Sequence, residues 1–193
     1  MEFLHQNGIA HNDIKPSNVF LYRDDNTQRL LAKITDFGLA VGAKGEPKFE
    51  SGIAEARSAF KYDAPEIRNR LRNTKSEIPT TFSDLLTGDI WKLAAVFTEL
   101  LSHLVLKTNG VDLFRDFVTT TDGQFESDEL SDITYDDGVK VKDEVRTWLR
   151  NIARLDTRAE KIVPLIQDMF GEASIRLKAE DVTRRLREVQ LLP

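Results

Sequence analysis

Residues 11–21, HNDIKPSNVFL, bring a carboxylate, an ammonium and a carboxamide into one short stretch as Asp13, Lys15 and Asn18. A carboxylate within hydrogen-bond reach of a hydroxyl can accept or orient its proton. A lysine ammonium is a compact charge suited to a phosphoryl group. Carboxylate and carboxamide oxygens suit magnesium, a hard cation that takes oxygen ligands and keeps several waters. A second carboxylate, Asp36, stands in ITDFGLA. Taken singly, these residues have plainer readings: Asp36 before Phe-Gly as a turn former, Asn18 as a strand-edge cap.

The order of the pieces singles the set out. An Asp two positions after a His, and an Asn five after that Asp, are met here by His11, Asp13 and Asn18. Asp36, Phe37 and Gly38 follow, then Ala64, Pro65 and Glu66 in YDAPE, then Asp89 with Trp91 at the head of an apolar run. On these motifs the chain resembles the eukaryotic-type protein kinase family over about residues 2–101. The likeness is weaker over 160–190, where Arg176 is similar to the family's late arginine, and residues 104–158 match nothing in it.

The resemblance implies ATP- and magnesium-dependent phosphoryl transfer to a protein substrate. Such a reaction asks a protein to position groups and neutralise spread negative charge. It implies that Asp13 takes or orients the proton of the attacking hydroxyl and that Lys15 meets the transferring phosphoryl group. It assigns Asn18 and Asp36 to the cofactor as magnesium ligands. Lys15 at its position is similar to the Ser/Thr-specific form of the loop. His11 is implied to pack and hydrogen-bond, Glu66 and Arg176 to form a buried ion pair, and Asp89 to bind backbone donors of the loop.

For the elements that must position these residues, the resemblance implies an α+β, predominantly α-helical fold: a kinase-like C-lobe with a short β-hairpin. It implies a partial kinase domain over 1–193, with the catalytic loop at 11–18, an activation segment at 36–66 and a buried helix at 89–104. Residues 2–7 read as the end of a helix stopped by Gly8. The apolar runs 19–22 and 30–34 flank a polar RDDNTQR turn and predict the hairpin. Residues 38–61 are rich in glycine and aperiodic, a long loop. The run GDIWKLAAVFTELLSHL leaves almost no polar face and reads as a buried helix. Residues 122–137 hold acidic groups and no Lys or Arg, a solvated loop. Helices are predicted at 141–156, 159–170 and 178–190, the last with Arg184, Arg185 and Arg187 on a solvated face.

Composition narrows the class. The 193 residues carry 27 basic and 32 acidic groups, a net of -5, which excludes an electrostatic case for nucleic-acid or membrane-surface binding. Without cysteine there are no disulfides, thiolate metal sites or thiol nucleophiles. No apolar run is long enough to span a bilayer and no signal peptide stands at the N-terminus. The default expectation is a cytoplasmic protein.

Several features depart from the family pattern. Asn12 replaces the arginine between the His and Asp, a residue that often meets an activation-loop phosphate. Ser51, Ser58, Thr74 and Ser76 are phosphorylatable, and nothing in the sequence selects among them. Ala59, three before Tyr62, replaces a usual threonine. The 23 positions from Glu66 to Asp89 predict an inserted loop around 68–87. No Gly-rich loop or VAIK-like lysine accompanies the motifs. The expectation is therefore a fragment, inactive alone, with apolar surface left uncovered on the buried helix. A separate N-lobe or another partner would cover that surface. Two other functions compete with the kinase reading: a pseudokinase-like binding module, and a small-molecule phosphotransferase with an H-x-D-x-x-x-x-N loop.

Overall fold

The computed structural model describes residues 1–43, 60–72, 80–120 and 134–190. The fold is α+β and mainly helical, in agreement with the sequence. Helix α1 (Glu2–Gln6) ends at Gly8, whose φ of +68° is a left-handed turn that glycine takes without strain. Strand β1 (Ile9–Ala10) pairs antiparallel with β4 (Val41–Gly42), so the segment after Asp36 returns to the start of the 11–18 loop. Strands β2 (Val19–Arg23) and β3 (Leu30–Ile34) form the predicted hairpin, Val19 opposite Ile34 and Arg23 opposite Leu30. Its polar turn closes on Asp24, whose carboxylate accepts from the Asn26 N–H at 3.1 Å and the Thr27 hydroxyl at 2.6 Å. Ser51, Ser58, Ala59, Thr74 and Ser76 lie outside the described residues.

Of the expected inserted loop at 68–87, residues 73–79 lie outside the described residues, and helices cover 68–72 and 82–87. Helix α2 (Pro65–Arg72) begins with proline at its first turn, where a missing N–H costs nothing. Helix α3 spans Phe82–Leu106, so it starts seven residues before Asp89. Its start is a capping box: Asp84 N–H donates to Thr81 Oγ1 at 3.2 Å and Thr81 N–H donates to Asp84 Oδ2 at 2.8 Å. Asp89 therefore lies two turns inside the helix rather than at its head. This signal was readable in TTFSD but was masked by the polar composition around it.

Helices α4 (Gly110–Thr120), α5 (Asp143–Leu155) and α6 (Thr157–Met169) pack around α3, and α7 (Ala179–Gln190) packs on α6 and α1. Asp156 ends α5 and caps α6, accepting from the N–H groups of Arg158 at 2.7 Å and Ala159 at 3.2 Å. The core is aromatic: Trp91 meets Phe170 edge-on at 4.9 Å, and Phe114 lies 5.6 Å from Tyr135 and 5.7 Å from Trp148. Of the acidic stretch, residues 122–133 lie outside the described residues, while Tyr135 and Asp136 are buried and Asp136 pairs with Arg68. The end of that stretch is thus core, not solvated loop. Among the described residues no helix is long and apolar enough to cross a membrane.

Ile90, Trp91, Ala94 and Ala95 of α3 are buried under the helices around it. Apolar surface is left uncovered on the helix at Leu100 and Leu104. The larger apolar exposure is on the hairpin, at Phe20, Leu21, Tyr22, Leu30 and Leu31. The buried part of α3 also holds polar groups: Asp89, Lys92, Thr98, Glu99 and Ser102.

Candidate active site

The 11–18 loop leaves β1, passes through a left-handed Asn12 at φ +65° and enters β2. Asparagine is among the few residues that tolerate this backbone, and its side-chain Nδ2 also donates to Leu39 O at 3.3 Å. Asp89 holds the turn from below. Its Oδ2 accepts the His11 N–H at 2.7 Å and its Oδ1 accepts the Asn12 N–H at 2.8 Å. His5 on α1 donates from Nε2 to the same carboxylate at 3.2 Å.

Asp13, Lys15 and Asn18 converge. Lys15 Nζ lies 2.9 Å from Asp13 Oδ2. Asn18 Nδ2 donates to that oxygen at 2.9 Å and to the Asp13 carbonyl at 2.8 Å. Asp13 is 5% exposed, and its Oδ1 is buried with no hydrogen-bond partner among the described residues. A buried anionic oxygen without a donor is costly, and such atoms call for an explanation in function. Because both bonds to Asn18 use its NH₂, its carbonyl oxygen is left as an acceptor.

Asp36 is tied in through the backbone. The Thr35 N–H donates to Asn18 O at 2.9 Å, and the Thr35 hydroxyl to the same oxygen at 3.3 Å. Asp36 follows with φ +65°, a conformation strained for a residue with a Cβ. It is exposed, and its Oδ1 accepts the Gly38 N–H at 3.2 Å. His11 locks the two pieces together. Its ring stands 4.8 Å from Phe37, its Nε2 donates to Thr35 O at 3.1 Å, and its Nδ1 accepts the Asp13 N–H at 3.3 Å. That pairing requires the Nε2–H tautomer.

Glu66 and Arg176 form the ion pair that the resemblance implies, through contacts of 2.6 and 3.2 Å. Arg176 also donates to the carbonyls of Gly171 and Thr87, and its guanidinium lies 5.0 Å over the Trp91 ring.

Sequence reasoning missed a second charged layer on α3. Lys92 is 2% exposed, and its Nζ lies 2.6 Å from Asp63 Oδ1. Burial by itself would lower the lysine, but the carboxylates of Asp63, Asp89 and Asp13 outweigh it and raise Lys92 above its ordinary value. Burial pushes Asp63 up, against the pull of Lys92. Two turns along, Glu99 Oε1 accepts the hydroxyls of Tyr62 at 3.1 Å and Tyr135 at 3.0 Å. The signal for Lys92 was in the sequence: a lone lysine inside an apolar helical run has to be paired if the run is buried.

A family model of the protein kinase domain matches residues 1–182. Over 103 residues the chain is 37% identical to the probable serine/threonine-protein kinase gdt4 of Dictyostelium discoideum, covering 53% of the chain and 5% of that protein. It is 36% identical over 107 residues to the membrane-associated tyrosine- and threonine-specific cdc2-inhibitory kinase wee-1.3 of Caenorhabditis elegans, covering 55% of the chain and 13% of that protein. It is 32% identical over 104 residues to cyclin-dependent kinase E-1 of Arabidopsis thaliana, covering 53% and 19%. The chain thus matches less than a fifth of the length of these relatives.

Proposed function

The chain belongs to the protein kinase domain family, and on that premise we propose that its 11–18 loop serves phosphoryl transfer from ATP to a serine or threonine hydroxyl of a protein. The observation that carries this reading is the buried Asp13 Oδ1 without a donor, beside Lys15 and Asn18. A hydroxyl donating to that oxygen would satisfy it and would be oriented for attack. As the hydroxyl oxygen bonds to the γ-phosphorus, its proton would pass to Asp13, and ADP would leave with the electrons of the broken P–O bond. Lys15 would hold a positive charge at the transferring group. The Ser/Thr assignment follows from Lys15 and from the resemblance.

The donor set fits magnesium. Asn18 offers a carbonyl oxygen fixed by its two donated bonds, and Asp36 offers a carboxylate in the exposed strained turn beside it. Among the described residues no cluster of three or more His, Cys, Asp or Glu side chains could hold a metal. A pair of oxygen ligands completed by water and phosphate is the set magnesium uses. Bound there, the cation would neutralise phosphate charge; the chain's own residues hold and orient it.

The exposed apolar hairpin supports a covering partner, either a kinase N-lobe or another protein, seated on β2 and β3. A chain without cysteine fits a cytoplasmic setting. The test is transfer of labelled γ-phosphate to a panel of proteins and of small alcohols, with and without a supplied kinase N-lobe. Transfer to protein that is lost in Asp13→Asn supports the reading. Transfer confined to small alcohols, or none under any condition, removes it.

A further inference from the structure

Asp89, Lys92 and Glu99 stand at i, i+3 and i+10 of α3, on one face of the helix. Together they hold two segments: Asp89 the backbone of residues 11 and 12, and Lys92 and Glu99 the neighbouring Asp63 carboxylate and Tyr62 hydroxyl. Asp89 and Lys92 are one turn apart, so the backbone of residues 11 and 12 and the Asp63 carboxylate are held at neighbouring points on one face of the helix. Stability does not account for Lys92. Two ions brought out of water are matched or bettered by an apolar pair of similar volume. What an ion pair adds is register, because the ammonium must meet its carboxylate.

We propose that Lys92 is a positioning residue: by holding Asp63, it registers residues 60–66 against Asp13, as Asp89 registers the 11–18 loop from three positions earlier on the same helix. The role rests on the phosphoryl-transfer reading given above. On that reading the placement of residues 60–66, held to the same helix face as the 11–18 loop, bears on how an acceptor meets Asp13.

The experiment compares Lys92→Met, Asp63→Leu and the double variant in the purified protein. Lys92→Met strands Asp63 and should lower the melting temperature; the double variant, an apolar contact, should recover it. Two readouts should not recover in the double variant. Amide exchange of residues 60–66 should stay about tenfold faster. The KM for a protein acceptor should stay about tenfold higher, with the KM for ATP moved less than about twofold. A double variant with wild-type exchange and wild-type KM makes the pair structural only and overturns the proposal. The kinetics are run with and without a supplied kinase N-lobe; should the wild type transfer nothing under either condition, the functional reading fails by itself and exchange alone decides on Lys92. Acceleration confined to 60–66 then sustains the register role, and unchanged exchange overturns it. If the double variant does not fold, Asp63→Asn, which keeps the side-chain shape, takes its place with the same two outcomes.

Discussion

His11 and Asp89 lie 78 positions apart and are joined by a 2.7 Å hydrogen bond from the His11 N–H to the Asp89 carboxylate. The other oxygen of Asp89 takes the next amide, Asn12, at 2.8 Å. One buried carboxylate thus satisfies two donors of a left-handed turn. Asp89→Ala strands both and should cost about 3 kcal/mol, at about 1–3 kcal/mol per orphaned buried group. Asp89→Asn keeps one acceptor oxygen and should cost about half as much. Urea unfolding followed by tryptophan fluorescence checks both, and equal costs would show that the carboxylate is not the anchor.

Asp13→Asn keeps an acceptor for Asn18 but cannot take a proton. Phosphoryl transfer should fall about 10²–10⁴-fold, with the unfolding midpoint nearly unchanged. Lys15→Ala should lower kcat without raising the KM for the acceptor, because its charge is needed mainly in the transition state. Steady-state kinetics on one acceptor separates the two variants.

Stability should fall above pH about 10. Burial, reinforced by the Glu99 carboxylate, holds the Tyr62 and Tyr135 phenols well above their ordinary value. Between the unfolded and folded values the unfolded chain has released protons that the folded chain keeps, so ν_U is smaller than ν_N and stability drops as pH rises. The stabilisation is fully present below the unfolded value. Each phenol contributes a slope of about 1.4 kcal/mol per pH unit. Phenolate absorbance during an alkaline titration should show both tyrosines ionising together with unfolding. Glu99→Gln removes the charge that raises both phenols and should move that alkaline transition to higher pH.

Two helical glycines should respond differently to alanine. A Cβ at Gly88 would come within 2.2 Å of Ile67 Cδ1, the end of a side chain, which can turn away for about 1 kcal/mol. A Cβ at Gly110 would come within 2.1 Å of the Ser102 carbonyl oxygen, which is backbone. Gly110→Ala should therefore cost about 3 kcal/mol, the upper end for overpacking. Thermal unfolding of the two variants gives the order.

The sequence by itself determined the chemistry-bearing loop, the hairpin and the last three helices, but not the helices at Pro65–Arg72 and Gly110–Thr120. The legible features are local: a motif with fixed spacing at 11–18, apolar runs on either side of RDDNTQR, and helical periods read at 141–156, 159–170 and 178–190. It also pointed to Glu66, Arg176 and Asp89, through the resemblance rather than through their own surroundings. Tertiary structure alone decided how far α3 extends, that Asp136 is buried against Arg68, and which surface stays apolar. It alone decided that Lys92 and Asp63 meet, 29 positions apart in the sequence. The physical reason is common to all of these. Periodicity reports which residues can share a face, whereas the energy of a buried charge depends on the partner that folding brings to it. A lysine in an apolar run declares that it needs a carboxylate, and only the packed helices supply Asp63.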